Sequence, residues 1–265
     1  MWLYFLSFRD FTRLAAEGRD SRKIVITKTM KRKILLGLTT TPKSDWRRKA
    51  AEINEIKLKE IALFPTMLGL KERKELYGLL EKTCLEKIPH VHLRDDMENW
   101  ELEYLQKKYK AWLFNIHYRD SDIEFLKNNP KYAQHIYVEN LDGIDKNFLE
   151  TAKLCGGICL DVSHCQDLTV LCGDGGPARL MNAIKNFKIG CCHISAVLPK
   201  SHWAKSLRTK KMVKILSSHY LHSLRELDYI KNYLEYLPKI ISIELENSFK
   251  EQIEARNYLE KIING

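Results

Sequence analysis

The sequence predicts a single (β/α)8 barrel, and three observations carry that prediction. From about residue 33 onward, short apolar runs alternate with longer amphipathic stretches. No GxGxxG turn follows the first apolar run, which disfavours an open nucleotide-binding sheet. The length of 265 residues suits one such barrel with a core of its own.

The elements follow in order. Ile34–Thr39 is the first strand, and Ser44-Asp45 offers the start of a helix over Asp45–Lys57. Glu60–Phe64 and His90–Leu93 are the next two strands, with helices over Lys71–Lys82 and Asn99–Tyr109. Trp112–His117 is the fourth, and Asp120-Ser121-Asp122 announces a helix over Asp122–Asn128. His135–Glu139 and Gly157–Asp161 lead into helices over Asp145–Leu154 and Pro177–Asn186. Ile189–Ser195 and Ile240–Glu244 complete the strands. The remaining helices are Leu224–Leu237 and Ser248–Ile263, the latter begun by Asn247-Ser248. Most of the strand runs are continuously apolar, as a parallel sheet covered on both faces requires.

One domain, residues 31–265, accounts for this alternation, and residues 1–30 stand outside it. They read either as an amphipathic extension, with Phe5, Phe8, Phe11 and Leu14 at loosely helical spacing, or as a start-site artefact. Met30-Lys31-Arg32-Lys33 leads directly into the first strand, which favours the second reading. The apolar Met1–Phe8 stretch is cut short by Arg9 and Asp10, so no secretory signal is expected.

Composition narrows the function classes. No apolar run reaches the length needed to span a bilayer, so no membrane role is expected. Seven cysteines without a CxxC pair argue against a thiolate zinc site. Cys159, Cys191 and Cys192 read as small buried hydrophobes in a reducing, cytoplasmic setting. The formal charge of +10 admits a nucleic acid or a phosphorylated small molecule as partner, but a lysine-rich helical surface is the favoured explanation. A homo-oligomer is compatible with the sequence.

The chemistry lies where polar residues interrupt apolar runs. His92, His117, Glu139, Asp161, His193 and Glu244 each close one of the last six strand runs. An ionisable group in such a run is costly unless it is paired or bound to a metal. In a barrel all of these positions reach the C-terminal mouth, where the fold builds its sites. Asn115, Tyr137, Cys159 and Cys191 lie two residues earlier on the same strand faces and should line the layer beneath. Mixed imidazole and carboxylate ligands suit Zn, Mn, Co or Fe better than Ca, with Mg also admitted. His90 reads as packing one layer deeper, and His135, His202 and His222 as surface or structural residues. The Cys191-Cys192 pair reads as core, since no activating partner is apparent. The segment Leu198–Lys214 reads as a basic loop over the mouth, rich in lysine and carrying Trp203. Within it Lys205, Arg208 and Lys210 are candidates to grip an anion.

The motifs VEN (Val138–Asn140), CLDVSH (Cys159–His164), CHIS (Cys192–Ser195) and IELEN (Ile243–Asn247) resemble the xylose isomerase-like barrel superfamily. The resemblance spans roughly residues 33–265. Through its ketose 3-epimerase branch it implies one metal held by Glu139, Asp161, His193 and Glu244. The two glutamates would exchange protons beside a substrate carbonyl, with His164 touching substrate oxygens. The implied activity is isomerisation or epimerisation of a small sugar or sugar phosphate. Through its endonuclease IV branch the resemblance implies a metal-dependent phosphodiesterase acting on abasic-site DNA. His92 and His117 would then join Glu139 at a further ion, and His164 and His219 would serve a third. Ser217 stands where that branch has an Asp, and the segments NIHYRD and VENLDG also depart from it. A superfamily member that binds metal without either reaction is the third reading.

Overall fold

The first apolar run becomes two short strands, β1 (Lys33–Leu35) and β2 (Gly37–Thr39), separated at Leu36. The computed structural model describes residues 31–141, 144–171, 177–206 and 210–265, without the side chains of 177–180. Six further strands of the sheet follow: β3 (Glu60–Phe64), β4 (Lys87–His92), β5 (Leu113–Ile116), β6 (Ile136–Glu139), β7 (Ile158–Asp161) and β8 (Ile189–Ile194). A hairpin of β9 (Ala196–Lys205) and β10 (Met212–Ser218) precedes the last sheet strand, β11 (Ile240–Ile243). The sheet order is β1-β11-β8-β7-β6-β5-β4-β3-β2, with every neighbouring pair parallel.

The split first strand explains how the sheet curls round. β1 is in register with β11, Lys33 opposite Ile240, while β2 is in register with β3, Gly37 opposite Ala62. One continuous segment thus touches both ends of the sheet, which gives the eight-stranded (β/α)8 barrel. Gly37 is needed at the junction, because a Cβ there would overlap the carbonyl oxygen of Ile243. Buried Gln252 clamps the same place, accepting from the Gly37 N–H (2.8 Å) and donating to its carbonyl (3.0 Å).

The helices are α1 (Trp46–Glu55), α2 (Leu70–Glu81), α3 (Asn99–Tyr109), α4 (Asp120–Asn128), α5 (Lys146–Lys153), α6 (Val162–Leu171), α7 (Pro177–Ile184) and α8 (Phe249–Ile263). Their starts obey capping chemistry. Asp45 accepts from the Arg48 N–H (3.0 Å), Asp145 from that of Phe148 (2.9 Å), and Ser248 forms a capping box with Glu251. One core fills the space between sheet and helices. A second lies inside the barrel, built from Leu35, Ala62, Phe64, Leu113, Tyr137, Cys159, Cys191 and Ile240.

Three elements differ from the sequence expectation. Helix α6 begins directly at the end of β7, where no helix was expected. The described residues of Leu198–Lys214 belong to the antiparallel β9–β10 hairpin rather than to a loop, with Trp203 opposite Lys214 and Met212 opposite Lys205. Leu224–Tyr236 winds as a 3-10 helix instead of an α-helix. Residues 1–30 and Arg208 lie outside the described residues. Among the described residues, no helix is long and apolar enough to cross a membrane.

Candidate metal centre

Parallel pairing carries all the strand ends to one mouth, and register then decides which side chains meet. Asp161 lies opposite His193, and Cys159 opposite Cys191 in the layer below. The alternation predicted from the sequence therefore holds: Tyr137, Cys159 and Cys191 fill the barrel interior beneath Glu139, Asp161 and His193.

Glu139 is the hub. Its Oε2 lies 3.1 Å from His92 Nε2 and 3.3 Å from His193 Nδ1, and its Oε1 lies 3.7 Å from His117 Nε2. His92 and His117 face each other through their Nε2 atoms at 3.2 Å. His193 Nδ1 is also 3.3 Å from Glu244 Oε2, and His219 Nε2 approaches Glu244 Oε1 at 3.6 Å. His164 Nε2 lies 3.5 Å from Asp161 Oδ2. Glu139, Asp161, His193, Glu244, His92 and His117 are all buried, while His164 is partly exposed and His219 sits at the rim.

The donor set fits a divalent ion on observations internal to the cluster. Asp161 Oδ1 accepts from the Ser163 N–H (2.8 Å), the Ser163 hydroxyl (2.6 Å) and the His164 N–H (3.0 Å). Its Oδ2 is buried without a hydrogen-bond partner, as are both ring nitrogens of His193. Such atoms are costly in a protein interior unless something else satisfies them. His92 Nδ1 lies 2.8 Å from the Leu93 carbonyl, so Nδ1–H donates there and Nε2 is the nitrogen turned toward Glu139 and His117. That is the arrangement of a metal-ligating histidine. Among the described residues five groups have ligand atoms within 4.8 Å of one another: His92–His117–Glu139, Asp161–His193–Glu244 and Glu139–Asp161–His164 at the mouth, and Glu139–Cys159–His193 and His90–Cys159–Cys191 reaching into the layer beneath.

Protons take the place of cations when no ion is bound. Burial disfavours the His193 imidazolium, but the charges of Glu139 and Glu244 outweigh it and hold the pKa up at about 10. Burial likewise disfavours the Glu244 carboxylate, yet His219 and His193 bring it down to about 2. Glu139 is held well below the usual carboxylate range, because His193 and His92 overcome its burial. The His193 pKa is raised from its ordinary 6.5, so its stabilisation is complete below about pH 6.5 and is lost as pH rises through about 10. Glu244 contributes above its ordinary 4.5, and that contribution is lost as pH falls through about 2. Chelator-treated protein should therefore show a urea midpoint that falls between pH 7 and pH 10. A midpoint unchanged across that window would contradict this electrostatic reading.

Several residues take roles the sequence did not announce. His90 is more than packing: its ring bonds to Ser242 Oγ (2.7 Å) and Asn115 Oδ1 (3.0 Å). Cys191 has polar neighbours after all. Burial raises its pKa, but a hydrogen bond with Cys159 and the neighbouring His90 outweigh that and pull it down. It is nevertheless sealed in the barrel interior. Ser217, the apparent gap, donates to Asp167 Oδ2 (2.6 Å), and Asp167 Oδ1 accepts from the N–H groups of Leu216 (2.5 Å) and Ser217 (3.0 Å). Asp167 thus pins the hairpin to α6. Lys205 and Lys210 are exposed on the hairpin, and among the described residues neither has a hydrogen bond or ion pair with the ligand cluster. His135 and His222 are exposed and His202 is half-buried, all apart from the cluster.

No family model matches the chain, and no curated protein matches it. Among solved structures, it is similar to a truncated form of 3-deoxy-D-arabino-heptulosonate 7-phosphate synthase from Thermotoga maritima. That match has 12% sequence identity and a TM-score of 0.46 over 87% of each chain. These findings correct two expectations. Neither a family model nor a curated protein supports the xylose isomerase-like superfamily, so the chain is not assigned to it. The sugar isomerase or epimerase activity, with its endonuclease IV-like alternative, is withdrawn with that assignment. The physical reason is that VEN, CLDVSH, CHIS and IELEN each consist of an apolar strand ending in one polar side chain. Barrels that build a polar site at their mouth tend to produce this pattern whatever reaction they run.

Proposed function

We propose that this chain is a divalent-metal-dependent hydrolase with two adjacent ion positions sharing Glu139, acting on a small anionic substrate. One position draws on His92, His117 and Glu139, the other on Asp161, His193 and Glu244, and Glu139 reaches this second set through its Oε2, 3.3 Å from His193 Nδ1. The observation that carries this reading is that Asp161 Oδ2 and both His193 ring nitrogens are buried without a hydrogen bond inside a ring of ligand groups, their neighbours being in ion-pair range alone. Divalent ions held there supply Lewis acidity and lower the pKa of a bound water toward neutrality.

The chain's own residues do the rest. His164, from the first turn of α6, reaches the ring from a partly exposed position and is placed to contact substrate oxygens. His219 is 39% exposed beside Glu244, so it can pass a proton between the interior and solvent. Two divalent ions against three carboxylates leave a net positive mouth, which favours a negatively charged substrate. The lysine-rich hairpin adds long-range attraction for such a substrate.

Elemental analysis of protein purified from metal-replete medium should find about two ions per chain. The same preparation should hydrolyse members of a panel of chromogenic carboxylic esters, amides and phosphate monoesters. Chelation should abolish that activity and metal add-back should restore it. A metal-free protein, or hydrolysis indifferent to chelator, would overturn the proposal.

A further inference from the structure

Beneath the candidate ligands a buried chain of hydrogen bonds leads from Glu139 through residues that belong to neither ion position. Asn115 Nδ2 donates to Glu139 Oε2 at 2.6 Å. Asn115 Oδ1 faces His90 Nε2 at 3.0 Å, and His90 Nδ1 faces Ser242 Oγ at 2.7 Å. All three residues are fully buried. They come from β4, β5 and β11, so the chain crosses the barrel interior from one wall to another.

The chemistry assigns every proton along it. An ionised carboxylate only accepts, so the Asn115 amide must turn its NH2 toward Glu139 and its oxygen toward His90. His90 must then carry a proton on Nε2, and in the neutral ring Nδ1 accepts from the Ser242 hydroxyl. The Asn115 bond occupies one lone pair of Glu139 Oε2, the atom nearest His92 and His193. A carboxylate gripped in this way keeps one plane, with Oε1 turned toward His117.

We propose that Asn115, held by His90 and Ser242, is a positioning residue that orients Glu139 to serve both ion positions. This rests on the metal-centre reading above, and two readouts keep their failures apart.

The first readout is metal affinity, by titrating Zn2+ into protein in competition with a chromogenic chelator. Asn115→Leu and His90→Leu should each weaken binding by about 10- to 100-fold, the usual effect of losing a group that orients a ligand. His90→Gln keeps an amide N–H near the Nε2 position and should stay within about threefold of wild type. Circular dichroism should show all three variants folded; if a leucine variant unfolds, Asn115→Ser replaces it in the titration. Wild-type affinity in variants lacking the Asn115 or His90 group would overturn the proposal.

The second readout needs no metal. Imidazole 15N spectra of the apo protein should show His90 protonated at Nε2, and Asn115→Leu should abolish that preference. An Nδ1-protonated His90 in wild type would overturn the proposal even if metal binds. A wild type that binds no metal but has the expected tautomer would sink the metal-centre reading and leave only the oriented carboxylate.

Discussion

Glu139→Gln is expected to cost both ion positions at once. Glu139 belongs to the His92–His117 group and also to the Asp161–His164 group, and its Oε2 lies 3.3 Å from His193 Nδ1. The substitution keeps the shape but removes the charge and half of the lone-pair capacity. Divalent ions bound by four protein groups gain about 10–16 kcal/mol, so losing one shared ligand should cost about 3 kcal/mol per ion. That corresponds to roughly a hundredfold weaker binding. Glu244→Gln is the contrast, because Glu244 belongs to the Asp161–His193 group alone. It should weaken one position and leave the His92–His117–Glu139 position intact. Chelator competition and elemental analysis on both variants would check this, and equal losses in the two would refute the shared role of Glu139.

Arg73→Met should produce the largest loss of stability outside the site. The Arg73 side chain is fully buried between α2 and α3, and each of its five donors is used. Nε and Nη2 grip Glu101 at 2.8 Å each, Nη1 donates to the Leu68 carbonyl (2.9 Å) and Asp96 Oδ1 (3.0 Å), and Nη2 also reaches the Asp96 carbonyl (3.1 Å). Tyr77 donates to the same Glu101 (2.9 Å). Removing Arg73 strands a buried carboxylate, which costs about 3–5 kcal/mol. The double change Arg73→Met with Glu101→Leu should recover most of that loss, since neither charge then remains. Urea unfolding of the single and double variants measures both effects. A single variant within about 1 kcal/mol of wild type would show that the pair is poorly coupled. The metal content of the folded variant should match wild type, because these residues belong to none of the ligand groups.

The strand-end residues were legible because a parallel barrel leaves a local trace. Apolar runs such as IPHVHL and WLFNIH end in one polar group, and alternation assigns its face without any partner being known. Helix α6 was missed for a reason inside the same logic. Asp161 ends β7 as a candidate ligand and also caps the next helix through Oδ1, so strand and helix share one residue with no turn between them. Asp167 was missed because its oxygens are taken by backbone N–H groups nearly fifty residues away.

By itself the sequence determined the barrel, its strand order in the chain, and the six polar residues delivered to its mouth. These follow from periodicity and burial cost, which neighbours along the chain encode. Only the tertiary structure decided which of those residues meet, that Glu139 is their hub, and that His90 and Asn115 support it. His90 and its partner Ser242 are 152 residues apart, and Asn115 and Glu139 are 24 apart. Such pairings depend on the register of strands from distant parts of the chain, where a shift of one residue would turn each side chain to the other face.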